Sequence, residues 1–382
     1  MHVESVNTVI TNEKKTQVEV NLILLGKGNV GSSWLTLFNE QKARYADIAQ
    51  VKLVAVANSS RFMLNTSGLP LMDIDDFSRH SQVGSLSELV ETLGQAQLPN
   101  VVVIDATASA SVTHSYSDFA SLGWNIVSAN KIPMTISTER YKALVNSLKI
   151  NGCYWGINAT VGAGLPVQSS LLELLQAGDT IIEISGVFSG SLSYLLASYN
   201  GTTSFTDLIA QARDAGFTEP DPRDDLSGAD VQKKLLILAR LSGYMLNLSD
   251  IPVLPLLPKS LLSGALSDFW NNKTEIDQYM KHQFDQATLA NKKLVYQGQI
   301  KFNGKLVSAA VGLEAVSINN AGAQLSPSDN VFTLKTAFYN NNPLIIRGPG
   351  AGAMVTATAI NIDLNKFITQ LAVANELNYE RQ

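Results

Sequence analysis

The chain has 382 residues with 28 Lys and Arg against 33 Asp and Glu, a formal charge of −5, so it lacks the basic excess of a dedicated nucleic-acid binder. Hydrophobic residues make up 45% and charged ones 16%, the composition of a folded protein, and at about 150 residues per domain the length implies roughly two to three domains. A lone cysteine, Cys153, excludes an internal disulfide; no signal-peptide pattern opens the chain, and no apolar run nears the roughly 20 residues that span a bilayer, so a cytoplasmic protein with no membrane contact is expected.

Residues 1–17 are polar without periodicity and read as a tail or linker. Residues 18–25 form a β-rich run that stops at Gly26, followed by a helix-compatible stretch to Phe38. Three further runs, 51–57, 101–106 and 125–129, are almost continuously apolar. That pattern belongs to strands buried on both faces in a parallel sheet covered by helices. The polar segment 69–98 between them predicts one helix around 86–93.

From about residue 160 the texture changes: loops rich in Gly and Pro (TVGAGLP, SGVFSGSLSY, EPDPRDD) separate helices predicted at 166–176, 205–215 and 228–241. Asn303-Gly304 between 293–302 and 305–316 is a hairpin signal. A short strand at 343–347, the loop GPGAGA and a helix at 355–371 close the chain. Because strand, glycine loop and helix recur there, this end is expected to return to the first domain.

Gly26-Lys27-Gly28-Asn29-Val30-Gly31 is a G-x-G-x-x-G between a strand and a helix. The first glycine permits the tight turn, the second lets backbone approach a pyrophosphate, and the third lets the helix pack on the strand while its amide groups face the phosphates. A glycine turn without a ligand is the competing reading. The acidic residue that would hold a ribose 2′-hydroxyl is absent from the end of the second strand, which continues Asn58-Ser59-Ser60-Arg61. Amide, hydroxyl and guanidinium groups suit a 2′-phosphate, so NADP is favoured with NAD as the alternative; Arg61 as a solvated loop residue is the plain reading. Asp105-Ala106-Thr107-Ala108-Ser109 and Ser128-Ala129-Asn130-Lys131 end the third and fourth runs at the same edge.

Glu219-Pro220-Asp221-Pro222-Arg223-Asp224-Asp225 places four carboxylates in seven residues, and Ser227 with Asp230 reads as a capping pattern for the next helix. At about 100° per residue from Asp230, Lys233 and Arg240 fall near 290°, opposite the apolar face, whereas Lys234 lands near 40°, between Leu241 and Leu238. An inward lysine one turn from a carboxylate is a candidate proton donor; an ordinary i,i+4 surface pair is the alternative. Metal binding by the acidic loop ranks low, since carboxylates so close on a proline-stiffened loop cannot converge. Cys153 reads as a packed small residue at the entrance to a strand. His2, His80, His114 and His282 show no metal spacing.

In order along the chain, GKGNVG, SANK, NATVGAGLP, SGVFSGSLSY, TEPDPRDDLSGADVQKK and RGPGAGAMVTA closely resemble homoserine dehydrogenase, and more narrowly the C-terminal half of a methionine-branch bifunctional aspartokinase/homoserine dehydrogenase. The resemblance covers about residues 18–375. It implies an α/β protein with a Rossmann-type dinucleotide-binding domain (18–160, completed by 343–382) and an α+β catalytic and dimerisation domain (161–342). It further implies reversible NADPH- or NADH-linked reduction of L-aspartate 4-semialdehyde to L-homoserine, on the route to threonine and methionine. With 382 residues there is no room for an aspartokinase domain as well, so a fragment or a free-standing dehydrogenase is expected.

By the same resemblance Lys234 is the proton donor, Lys131 lies near nicotinamide and substrate, Glu219 binds the substrate amino group, and Asp225 and Asp230 order the site; Ser191 and Asp225 are counted with Glu219 as substrate-binding. Thr107 and Gly350 join Gly26, Gly28, Asn29, Val30, Gly31, Asn58, Ser59 and Arg61 around the cofactor. Carbonyls of Val161, Ala163 and Leu165 would hold a sodium ion. Three departures stand out: Asn158 where several relatives carry an acidic residue, Phe217 where Tyr is frequent, and Met354 where some have Asp. Hydride transfer needs no thiolate nucleophile, which separates this chemistry from phosphorylating aldehyde dehydrogenases. A non-catalytic dinucleotide sensor would be expected to lose Lys234, Asp230 or the acidic loop first, and all are present. A homodimer or higher homo-oligomer is expected, with 251–265 and the hairpin as contact candidates and a small molecule as the substrate.

Overall fold

The computed structural model describes residues 17–379; of the expected tail only Gln17 falls within them, and His2 lies outside. A seven-stranded sheet takes β1 (Val18–Leu25), β2 (Ala49–Ala57), β3 (Arg61–Leu64), β4 (Gln82–Val83), β5 (Val101–Asp105), β6 (Asn125–Ser128) and β7 (Trp155–Gly156) in the order β4-β3-β2-β1-β5-β6-β7. β2, β1, β5, β6 and β7 run parallel, as their apolar runs predict. The edge strands β3 and β4 are antiparallel and were not foreseen. Asn58 Oδ1 accepts from Ser60 N at 3.0 Å and Arg61 N at 2.8 Å, which folds the chain straight back after β2. Segment 69–98 holds short helices at Leu71–Asp75 and Phe77–His80 besides the expected one at Leu86–Gln95.

The helix Asn29–Gln41 packs Trp34 and Phe38 onto one face of this sheet. Trp34 is fully buried, and truncating it to Ala would cost about 3–5 kcal/mol. Beside it lies the last helix, Ala353–Tyr379, whose Ala357, Ile360, Leu364 and Ile368 complete the same cluster. Its Asp363 accepts from Asn158 N at 2.8 Å and from the Asn158 side chain.

A second sheet contains β8 (Ile181–Val187), β9 (Lys292–Asn303), β10 (Leu306–Ser317), β11 (Asp329–Thr336) and β12 (Leu344–Pro349) in the order β10-β9-β8-β11-β12. β9 and β10 form the expected hairpin, with Gly304 at φ +60° in its turn. The expected return of 343–382 to the first domain divides here. Its helix returns, but β12 pairs antiparallel with β11, because Leu344 and Ile346 pack on the core cluster of Phe332 and Leu334. In the 251–265 stretch Ile251, Leu256, Leu257 and Leu261 are buried, while Leu254 is 73% exposed, so both this stretch and the hairpin keep exposed surface. SGVFSGSLSY is not a loop but the end of β8 and the helix Gly190–Ser198, capped by Ser189 Oγ accepting from Leu192 N at 3.2 Å.

Candidate active site

The carboxyl ends of β2, β1, β5 and β6 lie side by side, with Gly26 N donating to Ala57 O at 2.8 Å and Ala106 N to Leu25 O at 2.9 Å. The strand order reverses at β1, where a dinucleotide fold opens its crevice. Gly26 sits at φ +94°, and a Cβ there would meet Ala106 O at 2.9 Å. A Cβ on Gly31 would fall 1.9 Å from Gly26 O, so helix and strand approach too closely for any side chain. Gly28 faces open space instead. It begins a helix with no side-chain cap and no acidic residue in its first turn, so amide groups from Asn29, Val30 and Gly31 onward are offered to an anion. The loop therefore fits a pyrophosphate.

Thr107 is fixed from below. Asp105 is wholly buried and accepts from Thr107 N at 2.9 Å, Thr107 Oγ1 at 2.6 Å, Tyr116 OH at 3.0 Å and Asn130 Nδ2 at 3.0 Å. Burial pushes its carboxyl above the usual range against these bonds. Asp105 thus couples the ends of β5 and β6 and sets the residue preceding Lys131. The sequence placed Asp105 at the right edge but not at the centre of a network, since Tyr116 and Asn130 reach it only through the tertiary fold.

Arg61 departs from expectation. Its guanidinium donates from Nε to Ser81 Oγ at 2.8 Å and from Nη2 to Ser78 O at 3.3 Å and Ser81 O, so it is neither a solvated loop residue nor a free phosphate fork. Asn58 spends its side-chain oxygen on the turn described above. Ser59 remains exposed.

Across the crevice, the helix Ala229–Leu241 starts at Gly228, in the left-handed region at φ +75°. A Cβ there would strike Tyr296 Oη at 1.9 Å. The expected Ser227–Asp230 capping pair does not form: Ser227 Oγ accepts from Ala229 N at 3.2 Å, and Asp230 turns to lysines instead. Lys234 Nζ lies 2.8 Å from Asp230 Oδ2 and 2.7 Å from Phe188 O, with its side chain 9% exposed. Lys131 Nζ lies 3.5 Å from Asp230 Oδ1. Partial withdrawal from water pushes the Asp230 carboxyl up, but the charges of Lys234 and Lys131, the Lys234 hydrogen bond and the charge of Lys233 outweigh it and hold it well below the usual range. Lys131 belongs to the first domain and Asp230 to the second, so the pair bridges the crevice.

Arg240, expected opposite the apolar face, is 2% exposed. It donates to Met134 O and Ile136 O at 2.8 Å each and stacks 4.6 Å over Tyr141, fastening the Lys234 helix to the segment that follows Lys131. Neighbouring elements supply partners that a helical projection of one segment does not contain.

The four carboxylates of the acidic loop diverge. Asp221 pairs with Arg223 at 2.6 Å, which lowers its carboxyl pKa, while Asp224 and Glu219 are exposed. Asp225 accepts from Ser191 Oγ at 2.9 Å and Glu219 N at 2.8 Å, so it positions Ser191 and Glu219. Phe217, at the lip, stacks on Tyr194 at 4.5 Å. Gly350 closes the far side: a Cβ there would land 1.9 Å from Asn330 Nδ2. Next to it the TVGAGLP loop packs Gly164 against Val355. Of its three carbonyls, that of Leu165 already accepts from Val167 N at 2.8 Å, and Asn158 turns to Asp363. No cluster of three or more His, Cys, Asp or Glu among the described residues suits a metal, and the expected sodium ion gains no support. Cys153 is half-buried, and burial pushes its thiol up, against a nucleophilic role. No helix of the described residues is long and apolar enough to cross a membrane.

Comparison with known proteins agrees with this geometry. The profile of the homoserine dehydrogenase NAD binding domain matches residues 26–158, and that of homoserine dehydrogenase matches 166–364. The bifunctional aspartokinase/homoserine dehydrogenase 2 of Escherichia coli is 40% identical over 92% of this chain and 44% of its own length. The chain thus spans less than half of that relative. The homoserine dehydrogenase of Schizosaccharomyces pombe is 32% identical over 94% of this chain and 98% of its own. A crystal structure of a Candida auris protein of unknown function superposes with a TM-score of 0.82 at 32% identity, covering 92% of this chain and 98% of that one. With nucleotide crevice, lysine clamp and acidic loop in one cleft, the chain belongs to the homoserine dehydrogenase family.

Proposed function

We propose that this chain reversibly reduces L-aspartate 4-semialdehyde to L-homoserine, with NADP as the preferred cofactor and NAD as the alternative. The observation that carries the reading is the clamp on Lys234. Of the three N–H groups of an ammonium, one meets Asp230 and one meets Phe188 O. The third has no partner among the described residues and is left for the substrate oxygen. The nicotinamide supplies the hydride, and the protein's task is to hold the aldehyde and move one proton. Lys234 donates that proton at Nζ; Asp230 holds Lys234 and Lys131 beside each other. Glu219, presented by Asp225, binds the substrate amino group, and Ser191 lines the same wall. Thr107, Asn29, Val30 and the amides beyond Gly28 hold the cofactor's phosphates and nicotinamide side, with Gly26, Gly31 and Gly350 permitting close approach.

Homoserine oxidation followed by absorbance of the reduced nicotinamide, first with NADP and then with NAD, tests the activity and the preference together. Folded protein that binds either cofactor without turnover would refute the enzymatic reading. Ser59→Asp should shift the preference toward NAD by several-fold, since a carboxylate would then face the 2′-phosphate. We also infer a homodimer using the β9–β10 hairpin, whose edge strand exposes Ser308, Ala310 and Glu314; light scattering decides it. A single half-buried thiol suits a reducing, cytoplasmic compartment.

A further inference from the structure

We propose that Lys27, between the first two glycines of GKGNVG, is the residue that reads the ribose 2′-phosphate, and that Arg61 frames that subsite without contacting the phosphate. The inference rests on the NADP reading above and identifies the group responsible for it. Gly26 N bonds Ala57 O at 2.8 Å, so Lys27 starts directly beside the Asn58–Arg61 turn. In a dinucleotide fold the end of the second strand faces the adenosine ribose. Lys27 Nζ lies 5.8 Å from the ring centroid of Phe77. Phe77 opens the short helix Phe77–His80, and Ser78 of that helix together with Ser81 just past it holds the Arg61 guanidinium. Glycine loop, β2 turn and residues 77–81 therefore enclose one spot, with the Lys27 ammonium on its wall over the Phe77 ring.

Charge chemistry favours Lys27 over Arg61 for this role. Arg61 has used the Nε and Nη2 edge that would grip a phosphate in parallel, whereas an ammonium resting on an aromatic face keeps its N–H groups for an anion. Among the described residues no carboxylate lies within ion-pair distance of Lys27; the nearest acidic residues in sequence to Phe77, Asp75 and Asp76, are exposed. The exposed hydroxyls of Ser59 and Ser60 complete a polar wall.

Calorimetric titration of the protein with NADPH and with NADH tests this. Lys27→Met should weaken NADPH binding about tenfold or more, the equivalent of one charge-assisted hydrogen bond, and leave NADH within about twofold. Lys27→Arg should keep most of the preference, and thermal unfolding should be the same for all three proteins. Arg61→Met, which loosens the frame, should weaken both cofactors alike. A parent protein that binds NADH the more tightly would overturn the NADP reading and this inference with it. A parent that prefers NADPH and keeps the preference in Lys27→Met, or loses both cofactors equally, overturns this inference alone and makes Lys27 a pyrophosphate contact or a packing residue.

Discussion

Two aspartates flank the crevice and are treated in opposite ways. Asp105, at the end of β5, is sealed from water and met by four donors, all of them uncharged, with no cation in contact among the described residues; burial pushes its carboxyl up. Asp230, on the facing helix, keeps 49% of its side chain exposed and is met by two ammonium groups, which pull its carboxyl down. Neutral donors arranged around a carboxylate fix the shape of a loop. Ammonium groups gathered by a carboxylate are held in place while their charge stays available. The nucleotide side of the cleft is thus built for stillness, and under the proposed function the other side serves proton transfer.

The strongest way to break that contrast is to remove the proposed proton carrier. Lys234→Met keeps the length and apolar stem, and turnover should fall by about 10² to 10⁴ with NADPH binding and thermal unfolding nearly unchanged. Lys233→Met, one residue away and not part of the clamp, should do little. Equal losses from the two variants in a steady-state assay would mean that the clamp is structural, and Lys131 would become the better proton donor.

A smaller effect is expected on the other side. Asp105→Asn places an NH₂ against either Thr107 N or Asn130 Nδ2, whichever way the amide turns, so at least one donor faces a donor. Stability should drop by about 1–3 kcal/mol, read as a shift in thermal unfolding, and the cofactor KM should rise while kcat falls far less than in Lys234→Met. A variant that loses kcat as severely with its cofactor KM unchanged would show that Asp105 acts on the chemistry and would erase the contrast.

Legibility in the sequence followed the same divide between local and tertiary causes. GKGNVG was readable because the close approach of Gly31 to Gly26 lies within six residues, although Gly26 also answers to Ala106 just past β5, and the inward turn of Lys234 followed from helical period alone. Arg240 was misplaced because its partners Met134, Ile136 and Tyr141 lie about a hundred residues upstream and convert a polar position into a buried one. β12 was misassigned because a strand followed by a glycine loop carries no information about which sheet will pair with it. Ser227 and Asp230 have cap-like spacing, but two lysines compete for the carboxylate more strongly than a backbone amide does. Asp105 needed partners from three segments, around Thr107, Tyr116 and Asn130, and the tethering of Arg61 needed Ser78 and Ser81 from a second segment.

Asp225 falls between the two extremes and yields the smallest expected effect. It is partly buried, and burial pushes its carboxyl up; the bonds from Glu219 N and Ser191 oppose this, while the negative charges of Asp230 and Asp224 add to it. In the unfolded chain an aspartate titrates near about 3.9. The folded carboxyl holds its proton to a higher pH, so the associated stability is fully present below the unfolded value and is lost as pH rises through the folded one. Activity should move the other way: below the folded value Asp225 is neutral, its grip on Glu219 N and Ser191 weakens, and the homoserine KM rises. Asp225→Asn should therefore gain thermal stability relative to the parent as pH is raised from below 4 toward neutrality, while its homoserine KM loses the acid-side dependence seen in the parent. If the two proteins' melting temperatures kept a constant difference across that range, Asp225 would have to titrate as it does in the unfolded chain, and its place between the sealed and the paired carboxylate would be lost.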